Sequence, residues 1–232
     1  MTETRARWAE VHEATELALV TVGRLPHGAQ THPSLCQGWT RGHVLTHLAR
    51  NADALGNLVT WALSGVPTPM YASLEAREAA IASGATRPMS ELAADVQESA
   101  ARLAELAARL SPEHDEVQVE VRGGWWLPAR KLARLRLREV CYHHVDLDAG
   151  FGFADLTSDH AARFLADEVT RLRSHPEAPA LTMRSDEGDD YTIGDGTAYV
   201  TGSRAAILGW VARGLTAGMS GDGCLPTLPK GA

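Results

Sequence analysis

The chain has 232 residues, 44% of them apolar and 22% charged, with a net charge of −7. That is enough for one large core or two modest ones without disulfides, and the acidic balance argues against a nucleic-acid partner, which selects for a basic face. No apolar run approaches the ~20 residues that cross a bilayer, and the charged start MTETRARWAEVHEATE lacks the apolar stretch of a signal peptide, so a cytoplasmic protein with no membrane partner is expected.

Residues 5–23 read as a first helix, with Trp8, Val11, Leu17, Leu19 and Val20 as its apolar stripe and Gly23 as its stop. A loop rich in Gly, Pro, Ser and Thr runs from Pro26 to Gly38. Thr40 is placed to cap a long second helix, Arg41 to Leu63, which Gly65 and Pro67 end. Ser73 caps a short helix to Ser83, with Gly84 in the C-cap position. Ser90 opens a third long helix, SELAADVQESAARLAELAARLS, closed by Pro112. Val117, Val119 and Val121 alternate with polar residues, and Gly123-Gly124 suggests a hairpin leading into Trp125 and Trp126. That tryptophan pair reads as core or inter-domain packing. Pro128 suits the first position of a fourth long helix, running to about Leu147. The basic cluster on it, Arg130, Lys131, Arg134, Arg136 and Arg138, reads mainly as a solvated face.

Four long helices in about 150 residues suggest a bundle. The remainder changes character: an amphipathic helix over 157–173 carrying Phe164, Leu165, Val169 and Leu172, strand candidates at Ala180–Arg184, Tyr191–Ile193 and Ala198–Thr201, a helix capped by Ser203 and running to Arg213, and a Gly/Pro-rich tail. The pattern is α+β, with a helical bundle over 1–153 and a smaller α+β domain over 154–232, the break lying near Phe153.

The chemistry concentrates on two helical stripes. In REVCYHHVDL, Glu139 and His143 are four apart and share one face. Asp146 borders that face and is placed to take a hydrogen bond from the imidazole. In TRGHVLTHLARN, His43, His47 and Asn51 form a second stripe, in which Asn51 is a candidate catalytic residue. One imidazole from this stripe, with Glu139 and His143, makes a His₂Glu set that leaves a coordination position open, as catalytic zinc sites do. Taken singly, each Glu–His pair is an ordinary helix-surface contact; both stripes put polar groups where a bundle helix carries its seam. Cys36, Cys141 and Cys224 form neither a disulfide framework nor a CxxC knuckle, and reduced thiols fit the expected compartment. Cys141 points away from the Glu139–His143 face, and Cys36 lies in a loop. The chain contains no G-x-S-x-G, P-loop or G-x-G-x-x-G.

The stretch LCQGWTRGHVLTHLARNADALGNLVTWALSGVPTPMYASLEAREAAIASG resembles the N-terminal part of the mycothiol-dependent maleylpyruvate isomerases, and RLREVCYHHVDL resembles their second metal motif. TGSRAAILGWVARG is similar to the family's C-terminal domain. The resemblance implies a DinB-like four-helix bundle followed by a smaller α+β domain, with zinc held by three residues that fall on His47, Glu139 and His143. It places a functional arginine on Arg213. It implies mycothiol as thiol cofactor and a small-molecule substrate, maleylpyruvate, a product of gentisate cleavage, which becomes fumarylpyruvate. A thiolate adds to the double bond, the resulting single bond rotates, and expulsion of the thiolate restores it as trans. The developing enolate and the two carboxylates call for cations, for which Arg213 and Arg77 are the candidates; the ordinary alternative for Arg77 is a solvated helix residue. The rival readings are a mycothiol S-transferase of the same DinB-like group and a non-catalytic metal-binding module. A monomer is expected.

Overall fold

The element around which the fold is organised is a long helix, α2 (Arg41–Ser64), in the computed structural model, which describes residues 3–229. Its start is fixed by Thr40, whose hydroxyl accepts from the His43 amide, and its end by Gly65, which adopts a left-handed φ of 71° and donates to the Trp61 carbonyl. Val44, Leu45, Leu48, Leu55, Leu58 and Val59 are each at most 2% exposed, so this helix runs through the core. Around it stand α1 (Glu3–Gly23), α4 (Met89–Ala107) and α5 (Leu132–Asp146). α2 packs on α4 and α5, and α1 packs on α5 and α4, which gives a four-helix bundle. A short helix, α3 (Leu74–Gly84), is capped by Ser73 and lies against α2. The approach is close at two glycines. A Cβ on Gly42 would sit 2.0 Å from the Ala85 carbonyl oxygen, and one on Gly84 2.5 Å from the Thr46 methyl. This contact presses α3 onto the N-terminal half of α2, where His47 lies.

Strands β1 (Gln118–Val121) and β2 (Trp125–Pro128) form an antiparallel hairpin with Gln118 opposite Pro128. Pro128 is therefore the last residue of a strand and not the first of a helix; a single 3-10 turn, Ala129–Lys131, separates it from α5. Trp125 and Trp126 are 75% and 57% exposed, not core, and Trp126 meets Trp61 edge-on at 5.5 Å. On α1 the buried positions are Thr4, Val11, Thr15, Ala18 and Val22, while Leu17 and Val20 are exposed. The face that packs is thus set by small and short residues, and the sequence stripe was rotated from it. α4 begins at Met89 behind Pro88, which offers no side-chain cap, and ends at Ala107, where the chain turns to bury Leu110. In the basic cluster, Lys131 and Arg134 are exposed but Arg136 is 1% exposed. Arg136 stands four residues from both Leu132 and Val140, so it belongs to the buried stripe.

The chain divides into two compact units, Met1–Gly150 and Phe151–Ala232. In the second, α6 (Ser158–Arg173) is capped by Thr157 and buries Phe164, Leu165, Val169 and Leu172. A four-stranded sheet is built from β3 (Leu181–Ser185), β4 (Asp190–Ile193), β5 (Ala198–Gly202) and β6 (Ser220–Gly221) in the order β4-β3-β5-β6. β3 and β5 are parallel; the outer pairs are antiparallel. α7 (Arg204–Arg213), capped by Ser203, packs on α6. The architecture is a helical bundle followed by an α+β unit. Among the described residues, no helix is long and apolar enough to cross a membrane.

Candidate metal centre

The site forms where α2 faces α5. His47 projects from the second turn of α2 and is 5% exposed. Its Nε2 lies 2.8 Å from Glu139 Oε2, and the same oxygen is 3.5 Å from His143 Nε2. The donor atoms of His47, Glu139 and His143 all lie within 4.8 Å of one another. The two imidazoles meet edge-on with centroids 4.6 Å apart. His143 is held from behind. Its Nδ1 is 2.8 Å from Asp146 Oδ2, the carboxylate being fully buried, so the ring gives its proton to Asp146 and turns Nε2 toward Glu139.

His43 is not available to this set. Its Nδ1 receives the Thr40 amide at 3.2 Å and lies 2.9 Å from the Thr40 hydroxyl, closing a capping box at the start of α2. A helix cap thus selects His47 from the stripe. Asn51, one turn further, is buried and its amide oxygen accepts from Arg136 Nη1 at 2.7 Å.

Arg77 is 8% exposed, so the solvated alternative does not hold. Its Nη2 donates to His47 Nδ1 at 3.1 Å, its Nη1 pairs with Glu78, and its guanidinium lies 5.7 Å from the Tyr71 ring centroid. Arg213 ends α7 in the second unit, and its Nη1 donates to the Ala212 carbonyl at 2.8 Å.

Three residues at the centre were missed by sequence reasoning as parts of the site. The loop before α2 is tied down by a bridge between Pro33 and Thr40 and by the Leu35 amide, which donates to the Asp146 carbonyl at 2.9 Å. Arg41 completes the clamp by donating to the Leu147 and Asp148 carbonyls. The loop therefore sets Cys36 against the support of the site, its thiol donating to Asp146 Oδ2 at 3.1 Å. Trp39 covers both histidines, with ring centroids 5.4 Å from His47 and 6.3 Å from His143. Tyr71 stands beside Arg77. An aromatic immediately before the cap of a histidine-bearing helix was the only sequence signal for any of these.

The electrostatics follow from burial and from two carboxylates. Burial lowers the His47 pKa to about 4 against the hydrogen bond it makes to Glu139, which keeps this ring neutral. Burial also works against a charge on His143, but the hydrogen bonds of Asp146, Cys36 and Glu139 outweigh it and raise its pKa well above the usual value. For Glu139, burial is outweighed by the two histidines, which hold the carboxyl well below its ordinary range. Two imidazoles and a carboxylate within this span, one imidazole already oriented by a buried carboxylate, fit a divalent cation with an open position. Cys36, His143 and Asp146 also come within 4.8 Å of one another, through the other nitrogen of His143. Because Asp146 is fully buried and already bridges Cys36 and His143, this group acts as support for the first.

The family description for the mycothiol maleylpyruvate isomerase N-terminal domain matches residues 7–148, a span that contains all three donors and their support. The chain belongs to the mycothiol maleylpyruvate isomerase family. Crystal structures of the mycothiol-dependent maleylpyruvate isomerase, one of them a histidine-to-alanine variant, match this chain with a TM-score of 0.92 at 29% identity. The match covers 98% of this chain and 97% of theirs, so the α+β unit is part of the likeness as well as the bundle. No curated protein sequence matches the chain. Membership places it among isomerases that depend on a thiol, and the converging donors lie within the family's own domain.

Proposed function

We propose that this protein is a cytoplasmic, mycothiol-dependent cis–trans isomerase that converts maleylpyruvate to fumarylpyruvate, with zinc held by His47, Glu139 and His143. The observation that supports this most is the convergence of those three side chains, backed by buried Asp146, in a chain that matches the isomerase along nearly its whole length. When bound, zinc would lower the pKa of the thiol so that it is present as thiolate, the nucleophile that reversible addition to a conjugated double bond requires.

The chain's own groups supply the rest. Asp146 fixes the tautomer and direction of His143. Trp39 walls the histidines and excludes water on that side. Arg77 is a donor only, so the His47 nitrogen facing it, Nδ1, is an acceptor, and the ring proton sits on Nε2 toward Glu139. Were His47 to hold the metal through Nε2, its proton would sit on Nδ1 and Arg77 would lose this acceptor. The guanidinium would then suit a substrate carboxylate or the developing enolate, which match a planar fork. In this reading Asn51 serves the site from the turn after His47 on the same stripe, and Arg213, in the second domain, residues 154–232, is the further cation candidate. The protein is read as a monomer.

The test is to supply purified, zinc-analysed protein with mycothiol and maleylpyruvate. The reading expects loss of the cis diacid with no net loss of thiol. Stoichiometric thiol consumption would instead identify a transferase, and no turnover with metal bound would identify a binding module.

A further inference from the structure

Between α1 and α4 the bundle opens into a cleft of about 620 Å³, within the range of small-molecule sites. Its walls are Trp8, Val11 and Leu19 from α1 and the alanines at 100, 101, 104 and 107 from α4. Its lining on α4 extends from Gln97 to Ala107, roughly 15 Å along the axis at 1.5 Å per residue. The α4 side of the cleft is therefore long, and most of its lining is alanine methyl groups.

Arg136 lines this cleft and is 1% exposed. Its Nη1 is taken by α2, donating to the Leu48 carbonyl at 2.8 Å and to Asn51 at 2.7 Å. Its Nε and Nη2 are buried and have no hydrogen-bond partner. Those two nitrogens form one edge of the guanidinium, the edge that receives a carboxylate through two parallel hydrogen bonds. Glu139, Tyr71 and Asp53 act on Arg136 only through space, and burial lowers its pKa to about 10. A buried charge with unmade hydrogen bonds is costly, and an anion on that edge would offset the cost. The exposed mouth carries both signs, Arg5 and His12 against Glu16 and Glu105, so the uncompensated charge is at the buried end alone.

We infer that the α1–α4 cleft is a second ligand site, distinct from the metal centre, which takes a straight-chain monocarboxylate of medium length with its carboxylate on Arg136 and its alkyl chain along the alanine wall of α4. The length of the wall and its alanine methyl groups favour an unbranched chain over a ring. A single charge at the buried end favours a monoanion over the dicarboxylate of the proposed reaction.

The probes are decanoate, decanol and acetate, below micellar concentrations, titrated calorimetrically into the full-length protein with its metal content recorded. Decanoate should bind once per chain and raise the melting temperature. Decanol, with the same chain and no charge, should bind at least tenfold more weakly, and acetate should not bind measurably. Ala104→Trp fills the cleft at a position exposed to it and should abolish decanoate binding. Arg136→Met should remove the preference for decanoate over decanol. His47→Ala should leave decanoate binding within about twofold of wild type, which separates this site from the metal centre. The inference is overturned by absence of saturable decanoate binding, by equal affinity for decanol, or by unchanged binding in Ala104→Trp. A dimer that Ala104→Trp dissociates would assign the cleft to a second copy of the chain and overturn it as well.

Discussion

The most direct test of how the centre is built is to weaken its support without touching a ligand. Asp146→Asn keeps the volume of a side chain that is fully buried and removes its charge. In the wild type that carboxylate takes the His143 ring proton at 2.8 Å and the Cys36 thiol at 3.1 Å. A hydrogen bond to a charged group contributes about 1.5–3 kcal/mol and a neutral one about 0.5–1.5 kcal/mol, so the substitution removes roughly 1–1.5 kcal/mol from the orientation and basicity of His143. At about 1.4 kcal/mol per decade, metal affinity should fall about tenfold. Asp146→Ala, which leaves the ring nitrogen only the Cys36 sulfur at 3.9 Å, should cost nearer 100-fold, the upper end for groups that orient metal ligands. Competition against a chromophoric zinc chelator measures both, with far-UV circular dichroism confirming the fold. If both variants hold zinc within about threefold of wild type while His143→Ala loses it, the support argument is wrong.

Metal analysis should find zinc lost from His47→Ala and retained in His43→Ala, and the latter should lose up to about 1 kcal/mol of stability because it removes the side-chain half of the capping box. A variant with Cys36, Cys141 and Cys224 all changed to Ser should still turn over with mycothiol present; inactivity in a folded triple variant would implicate Cys36, the cysteine beside Asp146. Arg213→Ala should keep its metal and lose on the order of 10²-fold in kcat/KM, the scale of one lost donor to an oxyanion; unchanged kcat/KM would reduce Arg213 to a helix C-terminal cation. In the second unit, burial works against the Asp189 charge, but Arg204 and Ser185 outweigh it and hold the carboxyl below its ordinary value. Its contribution is therefore present above the unfolded pKa near 4 and lost as pH falls through the lower folded value. The melting temperature of Asp189→Asn should fall short of wild type at pH 7, and the gap should close as the pH is taken down through the acid range.

Where an element carries its own start and stop, its sequence is enough. α2, α3, α6 and α7 begin one residue after Thr40, Ser73, Thr157 and Ser203, whose hydroxyls each accept an amide of the first turn. Where tertiary packing decides, local propensity misleads. Ala108 to Ser111 would extend α4 in isolation, yet burying Leu110 turns the chain away after Ala107. Pro128 has the φ of a helix start, but the Gly123-Gly124 turn sets a hairpin register that places it opposite Gln118. On α1, Thr15 satisfies its buried hydroxyl on the Val11 carbonyl, so a polar residue takes the inward position while Leu17 stays outside.

The candidate site divides along the same line. Glu139, His143 and Asp146 are legible because helical geometry alone puts residues three and four apart on one face. Choosing between His43 and His47 by spacing alone is not possible, since both are on that stripe. The choice is made by the cap: a histidine at the third position of α2 is drawn back to Thr40, and the next turn is the first free to face α5. Cys36 and Trp39 could not be placed at all, because their positions depend on hydrogen bonds from the preceding loop to the far end of α5, made by residues over a hundred positions apart. Those same bonds bring Trp39 against the histidines and Cys36 against the carboxylate that aims one of them. The loop thus joins the two stripes into one centre, and changing Arg41, which touches no proposed ligand, should loosen the Asp146 support by freeing the end of α5.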